Sequence, residues 1–265
     1  MVNIGFAMAL VIAPIALVMK KGTELGLSMQ RAAVLTDQSL SEVRTTLKDL
    51  RDDTIFSLED MTESYTEYIK LGFSAADATE AMAHIANLAT AGFTDLKNAT
   101  EVTGQVMHQF NIGADNMEDV VNTLARAANM SAADVDTIGN ALSYAGQAAE
   151  FAGISFDETA AMLSILSNAG LRGSKAGTSL ANAINRIAKP TQDTKEMMRS
   201  LGISFFDSNK DMKSFNDIVI ELEKSLRDYN QEAQLAFLTQ TFGIRGGRAI
   251  SSLMNQYRET GQTLD

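Results

Sequence analysis

Two prolines in 265 residues, set against 18 glycines, constrain this chain more than any other feature. Proline removes a backbone donor and clashes inside a helix, so its near absence leaves long stretches free to be helical. Glycine, which tolerates a left-handed backbone, is the residue that ends helices. Gly72, Gly92, Gly113, Gly153 and Gly170 punctuate the middle of the chain at intervals that predict helices of roughly 15 to 20 residues.

The apolar residues fall at the matching period. Leu58, Met61, Tyr65, Tyr68 and Ile69 share one helical face, as do Met117, Val120, Val121 and Leu124, and later Phe215, Val219, Leu222 and Leu226. Start signals recur as well. Ser39 with Glu42, Ser74 with Asp77, Ser131 with Asp134 and Ser155 with Glu158 have the spacing of a capping box, in which a hydroxyl and a carboxylate satisfy the orphan amides of the first turn. The fold class is therefore all-α, a multi-helix array of short-to-medium helices. One segment breaks the rhythm: residues 203–215 (ISFFDSNKDMKSF) pair a β-rich run with a polar turn, which predicts a small β-hairpin. Pro190 forces a break after Lys189, at the end of residues 185–189 (NRIAK), and a sub-boundary is expected near residues 190–202. Leu71–Gly92 and Ala152–Gly170 share an order of glycine, serine cap, acidic first turn, alanine-rich helix and Ala-Gly stop; duplication and similar capping physics both account for that.

Residues 1–21 stand apart from the helical region 22–265. Ile4 to Met19 carries no charge, contains Pro14 and is followed by Lys20 and Lys21. No positive charge precedes the run, unlike a secretory signal, and it is shorter than the roughly 20 residues of a bilayer span. A buried or oligomer-facing helix and a membrane-active segment both fit it.

Net charge and cysteine content limit the chemistry. A formal charge of −11 disfavours duplex nucleic acid, whose binding needs many cations on phosphates, and sequence-specific nucleic-acid binding is not expected. The absence of cysteine excludes disulfides and thiolate metal sites. His84 and His108 have no ligating residue three or four positions on, and no nucleophile motif is present, so no catalytic, cofactor-binding or metal-binding residue is assigned and no cofactor is expected. Asp52-Asp53 and Glu59-Asp60 sit near helix ends, where solvated or dipole-facing roles suffice.

Two glycine-rich stretches invite a phosphate reading. In Gly170–Ser179 (GLRGSKAGTS), Thr178 rather than lysine follows Gly177, and the preceding segment reads as a helix, so the context of a phosphate-binding loop is missing. The stretch is better explained as a corner. Gly170 ends one helix, Gly173-Ser174 begins the next, Ala176, Gly177 and Ala181 form a small-residue face, and Leu180, Ile184 and Ile187 form the apolar stripe. Phe242–Ala249 (FGIRGGRA) reads as a tight helix–helix connection more readily than as an anion nest.

Several of these elements occur together in a recognisable order. Ala127 through Ser131, Gly153-Ile154-Ser155, Gly170 through Thr178, Ile187 through Pro190, Leu201-Gly202-Ile203 and Phe242-Gly243 follow the pattern of the core region of bacteriophage tail tape measure proteins, which this chain resembles over most of its length. The resemblance implies a structural, non-enzymatic virion protein in the lumen of the tail tube. It implies a part in tail assembly, tail length determination and genome delivery through the host envelope. The implied partners are tail tube and tail tip or baseplate proteins, tail assembly chaperones and further copies of itself, with host membrane contact through residues 4–19. One departure is length. Even fully helical, 265 residues would span only about 400 Å at 1.5 Å per residue, so a fragment, a shortened prophage copy or a segment of a longer ruler is expected. The alternative is a membrane-active pore former or effector unrelated to tails.

Overall fold

The computed structural model describes residues 22–210 and 212–261. The apolar run at residues 4–19 lies outside them. Among the described residues the chain is all-α: a helix over residues 22–36 (α1) is followed by α2 (Leu40–Asp52), α3 (Leu58–Lys70), α4 (Ala75–Ala91), α5 (Leu96–Gln109), a 3₁₀ turn (Ala114–Asn116), α6 (Met117–Asn129), α7 (Val135–Phe151), α8 (Phe156–Asn168), α9 (Ser174–Ala188), α10 (Gln192–Ser200), α11 (Phe215–Leu226) and α12 (Gln231–Thr260). Most run 12 to 17 residues, somewhat shorter than the glycine intervals suggest, because caps and turns occupy part of each interval.

The chain divides into two compact units. Among the described residues, one takes 22–87 with 95–101, the other 88–94 with 102–210 and 212–261. In the first, α2 and α3 pack together around large side chains. Val43, Leu47, Met61, Tyr65 and Tyr68 are fully buried, and Tyr68 stacks on Phe73 with ring centroids 4.1 Å apart. Burial, and then the charge of Asp77, raise the Tyr68 phenol well above its ordinary pKa.

Helix starts follow the expected hydroxyl logic at three of the four places. Ser39 with Glu42 forms a reciprocal capping box, and Ser74 with Asp77 exchanges the same two bonds. Ser155 caps α8 by accepting from the Glu158 amide. The fourth is displaced. Ser131 bonds the Ala133 amide instead of starting a helix, and Asp134 is the cap of α7, accepting from the Thr137 amide at 2.7 Å. An aspartate is itself a good N-cap, and the later start brings Val135, Ile138 and Leu142 into the core. The bonds from Thr137 hold the Asp134 carboxyl below the usual carboxylate range. A box at Ser57 and Asp60 went unread in the sequence.

Helix ends repeat one device. At Gly153, Gly170 and Gly202 the residue after the cap has φ of 73°, 85° and 68°. The next amide, from Ile154, Leu171 or Ile203, reaches back five residues to a helix carbonyl at 2.8–2.9 Å. Ile154 and Ile203 are 4% exposed, so the corners at Gly153 and Gly202 are closed by backbone bonds and by a buried side chain, while Leu171 at the third is half-buried. At two expected stops glycine is not the left-handed residue. Phe93 (φ 51°) takes that role beside Gly92, and Asn111 (φ 51°) takes it before Gly113. Gly92 is needed for space, since a Cβ there would lie 2.6 Å from Val135.

Residues 203–215 make less β-structure than expected. A single antiparallel bridge joins Phe206 to Met212, with the Lys213 amide donating to Phe205, and no strand forms among the described residues. Ile203 and Phe205 are instead drawn into the helical core, where Phe205 meets the ring of Phe242 at 5.8 Å. An isolated hairpin has little stability of its own, and the core competes for its apolar residues. Pro190 breaks the chain as expected: α9 ends at Ala188, and α10 begins after the Thr191 cap.

Candidate functional site

The Gly170–Ser179 corner is built from α8 and α9 inward. Gly170 closes α8, and Gly173, at φ 53°, starts α9 without a side-chain cap. α9 packs chiefly on α7 and α12. Its apolar stripe is the expected one, with Leu180, Ile184 and Ile187 buried. Its small-residue face differs in one position. Gly177 abuts the carbonyl of Ala141 on α7 so closely that a Cβ would overlap it. On the α12 side the small residue is Ala183 rather than Ala181, which is half-buried. A Cβ on Gly246 of α12 would lie 3.0 Å from the Ala183 amide nitrogen. The difference is one of phase: Ala183 lies six residues after Gly177, a little under two helical turns, and so faces a second neighbour rather than the same one.

The FGIRGGRA stretch is a joint within α12. Gly243 takes φ 73° and ψ 173°, a backbone that breaks the helix and lets it resume at once. Gly246 and Gly247 follow in the second limb; a Cβ on Gly247 would meet the Leu238 carbonyl at 2.9 Å. The tight connection expected from sequence is there, compressed to one residue. A second tie to α12 comes from Glu223 on α11. Its carboxylate is 3% exposed and accepts from Arg227 at 3.1 Å and Arg258 at 3.2 Å.

Together these contacts place the two glycine-rich stretches on one cavity. Lys175, Thr178 and Ser179 come from α9, and Arg245 and Arg248 from α12; they line a space of about 330 Å³ with Ser174 and Leu171. Residues three and four apart share a helix face, which explains why Lys175 meets Thr178 and Ser179, and why Arg245 meets Arg248. In the sequence the two stretches stand as separate features. Nothing local links residues some 70 positions apart; the packing of α9 on α12 does.

Other residues singled out from sequence are not gathered into a site. His84 is half-buried on α4 and His108 exposed on α5. Among the described residues no group of three or more histidines and carboxylates is arranged to hold a metal ion. Asp52 ends α2 beside Arg51, and Glu59 and Asp60 occupy the first turn of α3, where the helix dipole favours them. No helix among the described residues is long and apolar enough to cross a membrane.

What the geometry defines is a helical scaffold: helices latched at their ends and packed closely through glycine contacts. Over residues 44–243 the sequence matches the family of phage-related minor tail proteins, and the chain belongs to that family. That membership makes it a phage tail protein of structural type. A tape measure protein of Pneumococcus phage Dp-1 is 29% identical over 239 residues. That alignment takes in 89% of this chain and 21% of the relative, so the chain spans about a fifth of the relative's length. No solved structure matches.

Proposed function

We propose that this chain is a folded core segment of a tape measure-type tail protein, contributing to tail assembly and length determination and to genome delivery through the host envelope. The observation that carries the reading is the likeness to a tape measure protein across 89% of the chain. The role is structural and not enzymatic. The segment sits in the lumen of the tail tube, in several copies, and is handled by tail assembly chaperones and by tube and tip or baseplate proteins. It makes no sequence-specific contact with nucleic acid, which its charge of −11 would oppose. Residues 4–19 supply contact with the host membrane.

The packing of the larger unit is not that of a single continuous helix. A continuous helix gains about 1.5 Å per residue, whereas the corners at Gly153, Gly170 and Gly202 turn the chain back into a core. Length would then be set by longer stretches of the whole protein, with this segment seating the ruler or its cargo.

The test is deletion and complementation in a tailed phage carrying the gene, with tail lengths measured in electron micrographs. Deletion is expected to abolish tails or scatter their lengths, with the intact gene restoring both. Restoration by a Gly177→Leu version would show that α7–α9 packing does not matter to assembly. Normal tails with reduced infectivity would confine the segment to delivery, and unchanged tails and infectivity would overturn the reading.

A further inference from the structure

We infer that the cavity between α9 and α12 is a binding site for a compact phosphate-class oxyanion, a free or terminal phosphate rather than a backbone phosphodiester. Three cations, Lys175, Arg245 and Arg248, line it, and no carboxylate is among its lining residues. Among the described residues none of the three makes an ion pair. In a chain with 33 acidic and 22 basic side chains, that is an uncompensated positive site.

A second observation points to a ligand independently of charge. Ser179 is only 4% exposed and lines the same cavity, yet its hydroxyl has no hydrogen-bond partner among the described residues. Most buried hydroxyls in helices bond a carbonyl one turn back, as Ser167 does with Leu163 and Thr100 with Leu96. The Ser179 oxygen is not itself sealed from the cavity it lines, so its hydroxyl is free to donate to an occupant. Lysine as a point charge, two guanidinium forks and the Ser174, Thr178 and Ser179 hydroxyls are the donor set that a tetrahedral anion takes from several directions. A volume of about 330 Å³ holds such an anion and a small attached group. A polyanion is a poorer fit, because its other phosphates would face the net negative surface.

A cavity lined by Arg31, Lys70 and Lys97 supplies the contrast. It also holds Glu63 and Glu67, and Lys70 is paired with Glu67 at 2.9 Å and Lys97 with Glu101 at 3.8 Å. Cations already neutralised in that way have little to offer an anion.

The experiment is an amide-resolved NMR titration of the 265-residue chain with inorganic phosphate, with sodium chloride at matched ionic strength as control. Further arms use a short single-stranded oligonucleotide with and without a 5′-phosphate. Saturable shifts confined to residues 174–179 and 245–248 are expected with phosphate and with the 5′-phosphorylated strand. The paired substitution Arg245→Gln and Arg248→Gln should weaken binding about tenfold or more, one lost charge-assisted bond being worth about that factor. Both side chains are exposed, so the thermal midpoint should not move; Lys175→Gln gives the same reading if the pair fails to fold. Shifts that track ionic strength alike for phosphate and chloride would overturn the site, as would binding unchanged in both variants. Tighter binding of the strand lacking a terminal phosphate would overturn the assignment to terminal phosphate.

Discussion

The two units of this protein bury their cores by different means. In the amino-terminal unit α2 and α3 meet through large side chains: Met61, Tyr65 and Tyr68 are fully buried, and the Tyr65 hydroxyl reaches the Ala75 carbonyl at 3.3 Å. In the larger unit α7, α9 and α12 meet through missing ones, at Gly177 and Gly246. The first kind of core tolerates adjustment, because a ring or a thioether can shift. The second puts backbone against side chain or backbone, and backbone does not give way.

That contrast can be broken most decisively at Gly177. Gly177→Leu would push a side chain into the Ala141 carbonyl, and a loss of about 4 kcal/mol or more is expected. Hydrogen exchange should locate it: protection falls in α7, α9 and α12 while α2 and α3 keep theirs. Equal loss in both units would mean that they unfold as one and that the contrast has no energetic meaning. The converse change is Tyr65→Ala, which leaves a ring-sized cavity and should remove about 3 kcal/mol from the amino-terminal unit, read as a lower urea midpoint for α2 and α3 amides.

The smallest effect is electrostatic and belongs to the caps. Hydrogen bonds from Thr137 depress the Asp134 pKa, so its folded-state value lies below its unfolded one. The contribution is complete above the ordinary carboxylate value and disappears as pH falls through the depressed one. Asp134→Asn keeps the capping oxygen and removes the titration. The fall in unfolding midpoint between pH 6 and pH 3 should be slightly smaller for that variant than for the parent protein. Glu42, depressed by Ser39 in the amino-terminal unit, behaves with the same sign.

Much of the helical order is local and was therefore legible. The apolar stripes of α3, α6, α9 and α11 and the caps at Ser39, Ser74 and Ser155 depend on residues within four positions of one another. Where the structure departs from that order, packing overrides two local signals. Ser131 and Asp134 are both competent caps three residues apart, and only packing against Val135 and Ile138 chooses between them. Residues 203–215 have strand-like composition, but Ile203 and Phe205 find a better place in the core. The basic cavity was illegible for another reason. Lys175 and Arg245 are brought together by the approach of Gly246 to Ala183, a pairing between helices that no periodicity along one chain encodes.

The helix corners have a mechanical consequence. Each of those at Gly153, Gly170 and Gly202 is shut by its own pair of backbone bonds, drawn from residues within six positions. Tension along the chain therefore meets separate latches in series rather than one stiff strut. Straightening a 13-residue helix such as α8 pays out about 25 Å of chain, from 1.5 to roughly 3.4 Å per residue. Under a steady pull each helix that yields would lengthen the chain by a step of that size, and on release its latch could close again from its own few residues.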